Sequence, residues 1–396
     1  MSAKSAFSAM HALRAESAGI GSDRMADALA RAFERWRDRS YARRRDAIEA
    51  IADSAGYSVA MLENSIDALL KPFSSDALKA MAARVSADDR VAKPKTVGFI
   101  AAGNVAGAGI HEIAIALIAG ARVLIKTASA EPKFFPEFAR TLTEVDGEAG
   151  ARIEVLNWSR ARTDLTDELI SKCDRVVAYG DDATIESLSP RSDVIGFGSR
   201  VSAALIDASC IDGVAELLAR DVTLFEQLGC LSLHQVFVVS PDGRAARDLA
   251  IRMSSALERI GDTMPPARIP LRYAAEIRGV RERARWRAIS GEPVELFEGR
   301  GLEWTLVFET KADSFKVSPG FRTVHVTAVR DLAEFRACIG NISGRIEAMA
   351  VAGDECEIEA RAMATPYVCS PGEMQSPPLE WRHGGGRFLD LMARRR

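Results

Sequence analysis

The chain has 396 residues, 47% of them hydrophobic and 27% charged, and its 52 Lys plus Arg nearly balance 55 Asp plus Glu to leave a net charge of −3. These proportions describe a globular protein long enough for two or three cores, and they exclude the disordered and fibrous classes. The near-neutral balance gives no general drive toward nucleic acid or an anionic membrane.

In chain order, the first residues are small and polar without the continuous apolar stretch of a secretory signal, and Glu16 and Asp23 argue against a transit peptide. Residues 1–90 read as an N-terminal helical segment. Met25, Leu29, Phe33 and Trp36 fall at helical spacing, and a turn through Leu69, Leu70, Lys71, Pro72 and Phe73 leads into a further helix, DALKAMAARV. The polar stretch Ser86–Lys95 is taken as the boundary to a nucleotide-binding α/β domain over 91–215. There VGFIAA, VLIK, IEVLNW and RVVAYG alternate with helical runs, the pattern of a parallel sheet with crossover helices.

The helix from about Gly107 to Ala119 is apolar almost all round and is expected between layers, with any function at its N-terminal end. The apolar run Ile113–Ala121 stops at Glu112 and Arg122, far short of the roughly 20 residues that span a bilayer, so no membrane span is expected. A catalytic α/β domain over 216–365 follows, with strands HQVFVV, WTLVFE and TVHVTAV and an Arg-rich helical excursion near 266–290. Residues 366–396 form a Pro- and Gly-rich C-terminal arm that wraps a surface before a short helix; its Arg394–Arg396 end is read as solvated charge.

Four places could carry chemistry. GNVAGAG puts Asn104 and small residues at a strand-to-helix corner, where helix N–H groups can meet a ligand; with Glu112 in place of the third glycine of GxGxxG, a generic tight turn is the equal alternative. Lys126 ends the next strand, at the carboxyl edge where open α/β sheets bind ligands. Gly180, then Gly196, Gly198 and Ser199, lie at similar edges. In DVTLFEQLGCLSLHQVFVV, Cys230 sits between a helix and a strand, either as a buried structural thiol or as a nucleophile.

The other cysteines, 173, 210, 338, 356 and 369, read as small hydrophobes, and without any CxxC pair neither a disulfide framework nor a zinc ribbon is encoded; a reduced, cytoplasmic setting fits. His234, four after Cys230 in a strand, would lie more than about 12 Å away at about 3.3 Å per residue, and is read as structural. His111 and Glu112 are expected to cap, meet solvent or pair with a neighbouring layer. His383, beside Trp381, either lines an acyl site or packs. The five histidines form no local metal motif, and no metal is expected.

Taken together, over about residues 30–392, these elements resemble the aldehyde dehydrogenase superfamily and, more closely, the LuxC-like acyl-CoA reductases. Asn104, Lys126 and Cys230 match the superfamily's helix-opening asparagine, ribose-binding lysine and catalytic cysteine. Phe225 and Gln227 keep two of the three residues that commonly precede that cysteine, and PGEMQSPPLEWRHGG resembles the LuxC-type C-terminal signature. The hydrolytic members have a glutamate at the start of the motif resembling GFGSRVS; Gly196 stands there, which suits an enzyme that must protect its acyl-enzyme from water.

The resemblance implies an aldehyde-dehydrogenase-like fold of two α/β lobes, a Rossmann-like cofactor lobe and a catalytic lobe. It implies NADPH-dependent reduction of an acyl thioester, acyl-CoA or acyl-carrier protein, to an aldehyde through a cysteine-linked acyl-enzyme. Cys230 and Asn104 are then catalytic, and Lys126, Ser129, Gly180, Gly198 and Ser199 bind the cofactor. Ser129, where NAD-specific members often carry a glutamate, favours NADPH over NADH because a neutral residue does not repel a 2′-phosphate. The resemblance also implies a homo-oligomer and an acyl-transferring partner protein. Two alternatives remain: an acyl-phosphate reductase of the same superfamily, and a non-catalytic scaffold.

Overall fold

The computed structural model describes residues 20–87, 94–129, 131, 133–188, 194–311, 314–340 and 342–392. The sequence readings on Glu16 and on Arg394–Arg396 lie outside these residues. The helical segment comprises α1 (Ser22–Arg37), α2 (Ala42–Ala55), α3 (Val59–Leu70) and α4 (Ser75–Ala87). Met25, Leu29, Phe33 and Trp36 form one buried stripe on α1, as their spacing predicts. Phe33 stacks on Phe73 with ring centroids 4.1 Å apart. The fully buried Arg44 on α2 donates to the Trp36 carbonyl and pairs with Asp67 on α3 at 2.7 Å, so a charged residue ties three helices together.

The first sheet is parallel, in the order β3 (Ile153–Asn157), β2 (Arg122–Thr127), β1 (Thr96–Ile100), β4 (Arg175–Tyr179), β5 (Val194–Phe197). Helix α5 (Ile110–Ile118) follows β1, and every one of its residues is buried, in accord with its all-round apolar sequence. Helix α6 (Phe134–Val145) joins β2 to β3, apart from a one-turn helix at Gly147–Gly150. It shares one apolar core with α1 and α5, so the helical segment closes one face of the first sheet. Trp36 Nε1 reaches Thr141 Oγ1 on α6 at 2.9 Å. Helices α7 (Thr163–Lys172) and α8 (Asp182–Leu188) connect the remaining strands.

The second sheet has seven strands, in the order β12 (Tyr367–Cys369), β11 (Ile346–Ala352), β6 (Val201–Asp207), β7 (Leu233–Val239), β10 (Thr323–Val329), β9 (Thr305–Glu309), β8 (Val294–Glu298). Only the β8–β9 pairing is antiparallel among those described. Because β6 already belongs to this sheet, the chain changes sheets at residues 198–200, ahead of the boundary expected at residue 215. VIGFGSRVSAALI reads as one β-rich stretch, and nothing in its pattern tells that its two halves pair in different sheets. Helices α9 (Val214–Thr223), α10 (Arg244–Thr263) and α11 (Leu271–Ile289) fill the connections around β7 and β8. Helices α12 (Leu332–Ile339) and α13 (Asp354–Ala362) flank β11, and the arm ends in α14 (Phe388–Met392) against α5. The arm therefore lies back across its own chain.

Candidate active site

The loop before β7 carries Cys230, and its backbone is held in an unusual shape. Phe225, Glu226 and Gln227 are consecutive left-handed residues, with φ of 53°, 50° and 61°. Such a conformation in non-glycine residues persists only where the surroundings over-determine it, and it marks functional loops. Each of the three is pinned. The Phe225 N–H donates to Ser65 Oγ on α3 at 2.9 Å. Glu226 forms a fully buried ion pair with Arg322 at 2.7 Å and accepts from the Ala267 N–H. Gln227 Nε2 donates to the Leu233 and Thr323 carbonyls, while its Oε1 accepts from the Ser318 hydroxyl and the Thr323 N–H. Phe225 and Gln227, singled out in the sequence as residues preceding Cys230, shape and anchor its loop.

Cys230 itself is half-buried, and Ser202 Oγ on β6 donates to its carbonyl at 2.7 Å. Among the described residues nothing accepts from the Cys230 N–H. Burial pushes the thiols of Cys173 and Cys356 up to about 12, the state of inert structural cysteines.

Asn104 lies in the loop between β1 and α5, and its Nδ2 donates to the Leu228 carbonyl at 2.5 Å. Its own carbonyl accepts from the Tyr57 hydroxyl. Asn104 thus comes from the carboxyl edge of the first sheet to within two residues of Cys230, and the site forms where this edge meets the amino end of β7. The glycines that follow serve packing rather than an approaching ligand. A side chain at Gly107 (φ 75°) would strike Leu69 and Phe134, and one at Gly109 (φ 91°) would meet Tyr179 at 2.9 Å.

Lys126 and Ser129 stand at the carboxyl end of β2, as expected. Lys126 is half-buried, and burial together with the charge of Arg160 lowers its pKa; no carboxylate pairs with it among the described residues. Gly180 ends β4, with its N–H on the Phe197 carbonyl. Gly198 and Ser199 link β5 to β6, where the Ser199 N–H donates to Asp182 at 2.7 Å and its carbonyl accepts from Arg345. The Ser199 backbone is therefore engaged within the protein. Gly196 has a local steric cause, since a Cβ there would lie 2.3 Å from Ile185.

His383, read in the sequence as either lining an acyl site or packing, and Glu112, read as capping, meeting solvent or pairing with a neighbouring layer, come together in the structure. His383, in the arm, is buried; its Nδ1 meets Glu112 Oε1 on α5 at 2.7 Å, and its ring interacts electrostatically with the Cys230 thiol. Phe197 stacks on the imidazole at 3.9 Å and Trp381 at 4.5 Å, nearly parallel in both cases. Burial opposes charge on His383, but the Glu112 carboxylate and the neighbouring Cys230 outweigh it and raise the ring to about 10. Burial likewise opposes charge on Glu112, and the His383 charge and hydrogen bond overcome it, bringing the carboxyl down to about 2.

The signals for this pair were Glu112, a carboxylate inside an otherwise apolar helix, and the triple glycine after His383. Gly384 (φ 65°) must lack a side chain for the turn to seat against the Phe197 ring. His111 is buried and faces the Pro377 carbonyl at 3.1 Å, pairing with the arm as a neighbouring layer. His234 is buried with its Nδ1 accepting from the Ser318 N–H, a structural role. No cluster of metal-binding side chains occurs among the described residues, and no described helix is long and apolar enough to cross a membrane.

The two sheets and the cysteine loop at their junction define the aldehyde dehydrogenase fold. The chain is similar in fold to an aldehyde dehydrogenase of Burkholderia cenocepacia described as putative (TM-score 0.74, 14% identity, 98% of this chain and 88% of that one). It is also similar to a succinic semialdehyde dehydrogenase of Streptococcus pyogenes (TM-score 0.67, 15% identity, 97% and 89%). Within that fold, the family model described as acyl-CoA reductase (LuxC) matches residues 20–395, and the chain belongs to this family. Relatives include the long-chain acyl-protein thioester reductase 2 of Photobacterium leiognathi, 23% identical over 76% of this chain and 66% of that protein. The long-chain acyl-protein thioester reductase of Photorhabdus laumondii is 27% identical over 59% of this chain and 53% of its own length. The matches thus span between about half and two thirds of these relatives.

Proposed function

We propose that the protein reduces an acyl thioester to the aldehyde through an acyl-enzyme on Cys230. The observation that carries this reading is the convergence of Asn104 and Cys230 at the junction of the two sheets, in a chain of the LuxC family. The Cys230 sulfur attacks the thioester carbonyl. The second N–H of the Asn104 amide and the unengaged Cys230 N–H are the donors for the developing oxyanion. The bond to the carrier sulfur breaks, and the acyl group stays on Cys230 as a thioester of similar energy. Binding energy therefore goes into orientation and charge stabilisation rather than into a difficult cleavage.

A nicotinamide nucleotide, when bound, supplies the hydride. The half-buried Lys126 ammonium, without a carboxylate partner among the described residues, and the small exposed Ser129 suit a ribose-phosphate at the carboxyl edge of the first sheet, and in this reading they favour NADPH. Gly180 and Gly198 keep that edge free of side chains beside Ser199. Gly196 places no carboxylate that could activate water against the acyl-enzyme. Homo-oligomerisation, an acyl-transferring partner and a cytoplasmic setting belong to the same reading.

Intact-protein mass spectrometry after incubation with a panel of acyl-CoAs, without reductant, tests it. One acyl adduct that maps to Cys230 and disappears in Cys230→Ala is expected, with free CoA released in equal amount. An unmodified protein that releases no thiol would remove the covalent route, and release of phosphate from an acyl phosphate instead would make it an acyl-phosphate reductase.

A further inference from the structure

The sulfur of Cys230 does not face the active site alone. The buried ring of His383 lies between Phe197 and Trp381, takes Glu112 on Nδ1 and interacts electrostatically with Cys230. A ring held by two aromatic faces and one carboxylate has a single orientation, and those faces favour a cation. The Glu112–Nδ1 bond orients the ring and leaves Nε2 as the nitrogen that Glu112 does not engage. These features go beyond the cysteine-and-asparagine chemistry above and rest on it: we propose that His383 is the catalytic proton donor and acceptor of the Cys230 thiol, with Glu112 as its positioning residue.

The proton balance follows. In this proposal His383 takes the proton that the Cys230 thiol gives up, so that the sulfur attacks as a thiolate. Attack forms the Cys230 sulfur–acyl bond and breaks the carbonyl bond to the carrier sulfur, which leaves as a thiolate and takes the imidazolium proton. Neutral His383 then faces an uncharged acyl-enzyme. After reduction the thiohemiacetal oxyanion collapses, the aldehyde leaves, and Cys230 departs as thiolate while His383 regains a proton from solvent. The sum is one thioester, one hydride and one proton converted to one aldehyde and one thiol.

The charged and titratable groups around the ring come from several elements. Glu112 and His111 lie on α5, Tyr179 on β4, Cys230 on its loop, and Glu347 on β11, where it pairs with Arg200 at 3.1 Å and accepts from the Gly384 N–H at 2.8 Å. The Tyr179 ring stacks on Phe197, and its phenol is held neutral by burial and by the Glu112 charge. Glu112 is the carboxylate bonded directly to the imidazole, whereas burial raises the pKa of the Glu347 carboxyl, which bonds the backbone of Gly384 beside it.

The test uses iodoacetamide on the full chain, with no thioester, so that it is independent of the substrate. Alkylation of Cys230 should change little in rate between about pH 6 and about pH 9 in the native protein, whereas in His383→Gln it should climb with pH and fall at least about tenfold at neutrality. Acylation by acyl-CoA in the same variant should slow by on the order of 10²–10⁴. Glu112→Asp should recover much of what Glu112→Gln loses.

Should His383→Gln fail to fold, the native protein still answers. The His383 ring resonances, followed by NMR, should titrate at lower pH once Cys230 is alkylated. A folded His383→Gln protein with the native alkylation profile and acylation rate, or His383 resonances indifferent to alkylation, would overturn the dyad while leaving the acyl-enzyme intact. A native flat profile without acylation by any acyl thioester would instead keep the dyad and sink the proposed substrate.

Discussion

Two buried polar clusters flank Cys230, and they differ in whether their hydrogen bonds close. On one side Glu226, Arg322, Gln227, His234 and Ser318 bond almost entirely to one another and to the backbone of β7 and β10. On the other side Glu112 and His383 pair with each other, and the imidazole also interacts electrostatically with Cys230. The two histidines show the consequence. Burial alone brings His234 down to about 4, whereas a carboxylate neighbour carries His383 up to about 10 at comparable depth. Satisfied polar clusters rigidify a loop, and open-ended ones leave a proton to exchange.

The comparison breaks most visibly on the sulfur. Cys230→Ala should lower turnover by on the order of 10⁶-fold, the loss seen when a nucleophile is deleted from a concerted site, while denaturant unfolding changes little because the side chain is half-buried. The closed cluster should answer in the opposite currency. Glu226→Gln leaves Arg322 buried beside a neutral amide, and urea unfolding should show a loss of about 3–5 kcal/mol. Residual folded protein should nevertheless acylate, and a variant of native stability would show the ion pair to be dispensable. Asn104→Ala comes next, with a loss of on the order of 10²–10³ in kcat and little change in KM. A larger effect on KM than on kcat would make Asn104 a binding residue instead.

The parts of this site that a linear reading reaches are those set by local chemistry. The alternation of VGFIAA, VLIK and RVVAYG with helices dictates a parallel sheet, and the carboxyl edge of such a sheet places Lys126 and Ser129 wherever the strands end. Cys230 and Asn104 stand out because each sits at a junction between elements. Glu112 and His383 do not, since their pairing spans the distance from α5 to the arm, and each alone has a bland local explanation. The sheet change at residues 198–200 is hidden for a related reason. Strand propensity records that a segment will be extended, while its sheet is decided by partners such as Leu233 and Met349, which lie far along the chain. The arm was legible as a wrapping segment and His383 as either an acyl-site or a packing residue, but nothing in PGEMQSPPLEWRHGG indicates that Glu112 is the partner of that imidazole.

The smallest expected effect concerns the closed cluster and sharpens its difference from the open one. The folded pKa of His234 lies near 4, below its ordinary 6.5. Between these values the unfolded chain binds a proton that the folded chain does not, so stability falls as the pH drops through this window. His325, taken down to about 3 by burial first and then by Lys316 and Arg287, contributes with the same sign over an overlapping range. Asp221 and Glu131, both raised to about 7 by burial, act oppositely, because the folded chain keeps a proton that the unfolded chain has released. The native slope is therefore a sum, and only a difference isolates one residue. His234→Asn, whose amide oxygen can still accept from the Ser318 N–H, should flatten the acid side of a plot of unfolding free energy against pH by at most ~1.4 kcal/mol per pH unit. His383 has the reverse sign: its raised pKa stabilises the fold below about 6.5, and that contribution disappears as the pH rises through about 10. Equal slopes for His234→Asn and the native protein between pH 6.5 and 4 would mean that His234 takes up its proton in the folded state as freely as in the unfolded one, and the cluster around it would then be open to solvent rather than closed.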